Sequence, residues 1–308
     1  MSERGEGMRN IIVSGLMGAA LIGLAIFKSG GFRADENAPV PIQTPEIPTS
    51  KTKVKKSEPS LTRTRIEQGC GPVPASLRSP PYSLDQFYQQ YCDADGIPII
   101  ASPAVDPEAL RIGKARVKIM MQNLPSDVKW AMIDNQTRLA ILGKNEVVTD
   151  IPEKSDLHKL FPEKKYNTSY RRGVGPTKKR PAAVTGEENV LCLKSNRLPG
   201  SDTFVHEFAH TVHRMGLMDA EPNFNSDLKK AYQDAVIKRG LWKEAYASTN
   251  YAEYWAMGVQ IWFDVNYTDK SLHKNYIKTK AQLVYYDPVL YNLVAKYFPA
   301  KSISICPN

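Results

Sequence analysis

The chain has 308 residues, 42% of them apolar, and 41 Lys and Arg against 32 Asp and Glu give a formal net charge of +9. It is long and apolar enough to bury a core, although not all of it reads as globular. About four of the nine net charges lie in residues 1–81, so the remainder is only mildly basic and the charge makes no case for nucleic acid as a partner.

Residues 1–33 form the first unit. Ile11 to Phe27 is a 17-residue stretch without a charge, preceded by Arg4 and Arg9 and followed by Lys28 and Arg33. This is the pattern of a signal peptide or an N-terminal membrane anchor. No A-x-A cleavage pattern follows it, which favours a retained anchor contacting the membrane through residues 11–27. Residues 34–81 are rich in Pro, Ser, Thr and Lys, with Pro39, Pro41, Pro45, Pro48 and the run Lys51 to Lys56. Such a segment cannot bury enough apolar area to fold and is expected to be an extended, disordered linker. Four cysteines, Cys70, Cys92, Cys192 and Cys306, are an even number in a chain with an export signal, which favours two disulfides. A local Cys70–Cys92 bond and a long-range Cys192–Cys306 bond is one arrangement, though sequence alone does not fix connectivity. These features place the protein outside the cytoplasm: periplasmic, cell-surface or secreted.

The globular part is expected to span 82–308. Ser83 to Tyr91 reads as a helix opened by Ser83, and Asp93-Ala94-Asp95-Gly96 as a turn. A helix is expected from Pro107 through Val117 to Met121. Lys129–Ile133, Arg138–Leu142 and Asn189–Leu193 are short apolar runs between polar turns and read as strands of a small sheet. Between them, the stretch from Lys164 to Arg180 contains seven Lys or Arg together with Gly173, Gly175 and Pro176. It is either a solvated charge run or the wall of a cleft that attracts acidic substrates.

Ser201-Asp202-Thr203-Phe204-Val205-His206-Glu207-Phe208-Ala209-His210 follows. Pro199-Gly200 breaks the chain, three N-cap residue types come next, and apolar positions recur at helical spacing up to Gly216, where the helix is expected to end. Histidines four apart on a helix differ by only about 40° in rotation and one turn in height, so both imidazoles reach one metal ion. Glu207 then stands near the open coordination position, where it can take a proton from attacking water. The metzincin pattern fails, because it needs Gly at position 213 and His at 216, and the chain has His213 and Gly216. His213 lies too far along the axis to join the pair and reads as a residue supporting the ligands from behind, a rim residue, or an ordinary surface histidine.

After Gly216 the chain is expected to be mainly helical, near 227–239, 251–263 and 287–297. A third ligand must come from the carboxylates there. Glu253 stands out in the aromatic and apolar segment Asn250 to Ala256. Its distance from Asn250 also fits a capping box, which explains it without any metal.

His206-Glu207-Phe208-Ala209-His210, then Tyr246, then Glu253 seven residues later, resembles the catalytic domain of the anthrax lethal factor family, over roughly residues 130–308. The resemblance implies a zincin-like metallopeptidase domain in which one Zn2+ is held by His206, His210 and Glu253. It also implies that Glu207 is the general base and that Tyr246 assists at the metal as a hydrogen-bond donor. The chain departs from that pattern at Met257, where a second acidic residue often stands one turn after the ligand glutamate.

The expected fold is therefore α+β: a zincin-like domain with a small sheet followed by a mainly helical C-terminal part. The expected function is that of an exported zinc metalloendopeptidase of gluzincin type acting on peptide or protein substrates. Two alternatives from other classes remain: a non-catalytic zincin-like binding module, for which Met257 is the best support, and an envelope-tethered interaction protein working through its basic linker.

Overall fold

The computed structural model describes residues 69–266 and 277–304, all within one compact unit spanning Leu61–Asn308. The expectations for residues 1–33 and for 34–68 lie outside the described residues. No described helix is long and apolar enough to cross a membrane.

Five strands form one sheet in sequential order: β1 (Cys70–Pro72), β2 (Gln90–Ala94), β3 (Ile97–Ala101), β4 (Arg138–Leu142) and β5 (Ala182–Gly186). The first three pair antiparallel; β3, β4 and β5 are parallel. Helices α1 (Pro107–Met121) and α2 (Ser126–Asp134) make the crossover from β3 to β4. A long connection carrying the one-turn α3 (Leu157–Leu160) leads to β5. Then follow α4 (Glu187–Val190), α5 (Thr203–Thr211), α6 (Met218–Ala220), α7 (Phe224–Tyr232), α8 (Tyr251–Trp262), α9 (Lys280–Tyr286) and α10 (Pro288–Ala295). The molecule is α+β, with a small sheet followed by a mainly helical C-terminal part, as its sequence predicts.

Alternation along the strands divides the core in two. Ile97, Ile99, Leu139 and Ile141 face the cluster that holds the helices, with Phe204, Phe208, Trp255 and Phe298 at its centre. Ile100, Ala140, Leu142 and Val184 face a smaller cluster closed by Leu77, Tyr88, Val148, Ile151 and Leu157. Both faces of β3, β4 and β5 are therefore buried, as parallel strands require. The outer edge of β5 is covered by Val174, which exchanges two backbone bonds with Val184 at 2.9 and 3.1 Å. That pairing lays the 173–175 backbone beside α5.

Several sequence expectations are corrected. Folding begins before residue 82: β1 pairs with β2, the Cys70–Cys92 disulfide joins them, and Leu77 is buried. The linker assigned to 34–81 therefore stops by residue 69. Cys192 is also disulfide-bonded, whereas Cys306 lies outside the described residues.

Ser83 to Tyr91 is not a helix. Ser83 has a positive φ of 47°, and the Arg78 guanidinium takes the carbonyls of Leu84, Asp85 and Tyr88 that a helix would use. Residues 129–133 belong to α2 rather than to a strand, because Val128 and Met132, four apart, form its single buried stripe. The strand expected at 189–193 falls instead on Ala182–Gly186; Asn189 lies in α4, where its side chain binds Thr203 N and Ser201 O at 2.7 Å each.

Gly216 does not end the HExxH helix. The helix continues from α5 through a π-helical stretch, Val212–Leu217, into α6. Gly216 is instead a point of close approach to α2, where a Cβ would lie 2.8 Å from Val128 Cγ1.

Candidate metal centre and active site

Helix α5 starts at Asp202, whose side chain accepts from Val205 N at 3.0 Å. The same carboxylate is fully buried against Arg116 of α1, 3.0 Å away, so the cap is fixed to the sheet-covering helix. Helix α8 starts at Asn250, which accepts from Ala252 N and Glu253 N. The two helices cross with three buried bonds: Trp255 Nε1 donates to Ala209 O at 2.9 Å, and Gln260 Nε2 donates to Asp202 O at 2.9 Å and Ser201 Oγ at 3.1 Å.

This crossing brings three sequence-selected residues together. His206 Nε2 is 3.0 Å from Glu253 Oε2, His210 Nε2 is 3.2 Å from the same oxygen, and the two Nε2 atoms are 3.1 Å apart. The Glu253 side chain points at the histidines, and the cap of α8 is made by Asn250 alone. The capping-box alternative therefore falls away.

The donor set suits a metal. Gln260 has committed its Nε2 to Asp202 and Ser201, so its Oε1 accepts the Nδ1 proton of His206 at 2.9 Å. In its neutral form His206 then presents a lone pair on Nε2 to His210 and a carboxylate. Acceptors converging in this way need a cation between them. Two ligands about 2.0–2.1 Å from a tetrahedral zinc stand about 3.3 Å apart, close to the spacing here. His206, His210 and Glu253 thus form a group that can hold a metal ion.

Charge states follow from the surroundings. Burial, opposed by His206, pushes the Glu207 carboxyl up to about 7. Burial lowers His210 to about 4. Although burial acts to raise Glu253, the two imidazoles beside it hold its carboxyl well below the usual carboxylate range. Tyr246, with its ring 6.1 Å from that of His206, is raised to about 12 by partial burial and by Glu253 and Glu207. It is a protonated donor at neutral pH.

His206, His210, Glu207, Glu253 and Tyr246 all line one cleft of about 330 Å³. The backbone at Gly173 and Gly175 forms its near wall. A Cβ at Gly173 would stand 2.5 Å from Glu207 Oε1, and one at Gly175 would stand 3.0 Å from His210 Cβ. Both glycines belong to the basic loop of the sequence, which is therefore cleft wall rather than solvated coil. Arg172 anchors that loop by a bidentate pair with Glu188 at 2.7 and 2.8 Å.

His213 is neither rim nor surface. It is 1% exposed, packs against Phe224 and Tyr251 and meets Asn225 Oδ1 at 3.3 Å. Met257 is buried in the main core. The residue that supports a metal-facing histidine from α8 is Gln260. Its only sequence signal is a polar side chain among apolar neighbours, seven residues after Glu253. Lys154, buried beneath the cleft, carries no sequence signal that separates it from surface lysines.

No family model and no curated protein matches the sequence. Among solved structures, the chain is similar to the Pro-Pro endopeptidase PPEP-2 from Paenibacillus alvei, with 17% identity over 65% of this chain and 97% of that chain and a TM-score of 0.42.

Proposed function

We propose that the chain is a zinc-dependent peptidase of gluzincin type with a zincin-like fold. The observation that carries this reading is the convergence of two helical imidazoles and the α8 carboxylate within 3.2 Å, beside a buried glutamate that lies in the same cleft and ligates nothing. A purely structural site has no use for that glutamate or for an open cleft. The order His206, Glu207, His210, Tyr246, Glu253, which resembles the lethal factor family, supports the same assignment.

His206, His210 and Glu253 would hold the ion, which supplies Lewis acidity toward a carbonyl when bound. Glu207 is the general base. Its carboxylate takes a proton from water attacking the scissile carbonyl and delivers it to the departing amine nitrogen; burial, which favours the protonated carboxyl, helps the uptake. Tyr246 donates a hydrogen bond to the carbonyl oxygen as it gains charge. Gln260 keeps His206 in the tautomer whose Nε2 faces the site. The argument from Met257 for a non-catalytic module weakens, since Gln260 supplies the hydrogen-bond support that a second carboxylate would give.

We place the activity outside the cytoplasm. The Cys70–Cys92 bond and the apolar stretch 11–27 support this, with that stretch as signal or anchor. The test is zinc content and cleavage of a diverse peptide library by the full chain, wild type against Glu207→Gln. The reading expects near-stoichiometric zinc in both and cleavage by the wild type alone. A wild type that binds no zinc overturns it.

A further inference from the structure

Cations at the cleft fall into two groups. Arg180, which lines it, and Arg172, which anchors its wall, face carboxylates at 2.5 and 2.7 Å. Lys154, Arg171 and Arg214 have none within 4 Å among the described residues, and all three line the cleft.

Lys154 is the sharpest case. It is 1% exposed, yet its one hydrogen bond among the described residues goes to Gly175 O at 3.0 Å. Arg214 likewise makes a single bond, from Nη1 to Pro176 O at 3.3 Å. Its Nη1 also lies 3.2 Å from where a Cβ of Gly175 would be, against 3.0 Å for His210 Cβ. Arg214 and Lys154 therefore both pack on Gly175, on the flank of the cleft beyond His210. Burial pulls Lys154 down to about 7 and Arg214 is half-buried; an anion beside them would hold the proton on the one and meet the spare donors of the other. Glu207 is the cleft carboxylate that acts on both Arg214 and Lys154, but it forms no ion pair within 4 Å with either and serves the reaction centre. The fork of Arg214 suits a carboxylate with two oxygens.

We propose that Arg214 and Lys154 form a carboxylate-binding subsite, and that the substrates are peptides carrying a carboxylate close to the scissile bond. The proposal rests on the peptidase assignment and deepens it. Arg214 stands about one turn past His210, a rise of at most about 6 Å, since the π-helical stretch climbs less steeply than an α-helix. An extended peptide advances about 3.3 Å per residue, so the carboxylate belongs within about two residues of the cleaved bond. It can be an Asp or Glu side chain or the peptide's own C-terminus. Both present the same group.

The experiment uses the full chain loaded with zinc and matched peptides that differ only by Glu against Gln at each position near the cleaved bond, each with a free and an amidated C-terminus. The wild type is expected to favour the carboxylate in kcat/KM by about ten- to a hundredfold. Arg214→Gln should bring that ratio close to one, and Arg214→Glu should turn it in favour of Lys-containing peptides. Because the readout is a ratio within one protein, a general loss of activity does not imitate it. Preference for Glu with either terminus identifies the side chain; preference for the free terminus identifies the C-terminus.

A wild-type ratio near one, or a preference that survives Arg214→Gln, overturns the proposal. If no peptide is cleaved, the peptidase assignment fails separately, and fluorescence anisotropy of the Glu and Gln peptides on Glu207→Gln decides the subsite. Tighter binding of the Glu peptide, lost when Arg214→Gln is added, upholds it; equal or absent binding overturns it.

Discussion

Gln260 Oε1 stands 2.9 Å from His206 Nδ1, and the Gln260 amide nitrogen is anchored to the first residues of the helix that carries His206. One side chain thus fixes a ring's tautomer, its rotation and its helix together. Replacing Gln260 with Leu should lower zinc affinity by about ten- to a hundredfold, and Gln260→Glu, which can still accept from Nδ1, should recover most of it. Competition with a chromogenic chelator measures this. Zinc affinity unchanged in Gln260→Leu would remove the tautomer argument.

Gly173 has space for a hydrogen only, since a Cβ would approach Glu207 Oε1 to 2.5 Å. Gly173→Ala should displace the carboxylate and cost about 10² in kcat, the scale for a misplacement near 1 Å, with zinc content preserved. Single-turnover kinetics beside metal analysis separates the two. Loss of zinc along with activity would mean that the loop supports the ligands rather than the base.

His213 is buried in its neutral form, and burial lowers its pKa from 6.5 to about 4. The unfolded chain therefore binds a proton that the folded chain refuses, and stability falls as pH drops from 6.5 toward 4. The full effect is of the order of 3 kcal/mol. Denaturant unfolding of wild type and His213→Gln at several pH values should show a shallower pH slope in the variant across that window; parallel slopes would place the titration elsewhere.

The grouping of His206, His210 and Glu253 is more legible in the sequence than the individual strands are. His206, Glu207 and His210 are four residues apart at most, so one helix brings them together and their spacing is visible. Glu253 and Tyr246 became legible only through their order relative to that motif. Lys154 and Arg214 are brought into the cleft by tertiary packing, from a single 3-10 turn and from a π-helical stretch, both too short to leave a periodic signature. The strand errors have a similar origin. Ala182 and Ala183 lack the β-branched side chains that mark a strand, and parallel pairing with β4 makes them one. Lys129–Ile133 reads as a strand because Trp130, although exposed, adds an apolar position beside the buried Val128 and Met132.

Strand β1 has three residues, all exposed, so its place on the sheet depends on its pairing with β2 and on the Cys70–Cys92 bond, which closes a sequence separation of 22. Replacing both cysteines with Ser should cost about 3 kcal/mol, the scale for a loop of that length, without altering peptide cleavage at low temperature. Equilibrium unfolding in denaturant measures it. A loss of cleavage in the folded variant would show that the sheet edge reaches the cleft.

The three buried bonds between α5 and α8 engage no ligand atom. Trp255, Gln260, Ala209, Ser201 and Asp202 would hold the helices crossed whether or not an ion is present. Zinc fingers, by contrast, gain their fold from the metal, and chelators denature them. Here a chelator should yield a folded apoprotein that takes up zinc again on demand. Activity in this molecule then becomes a matter of metal supply, reversible and separate from its survival as a folded chain.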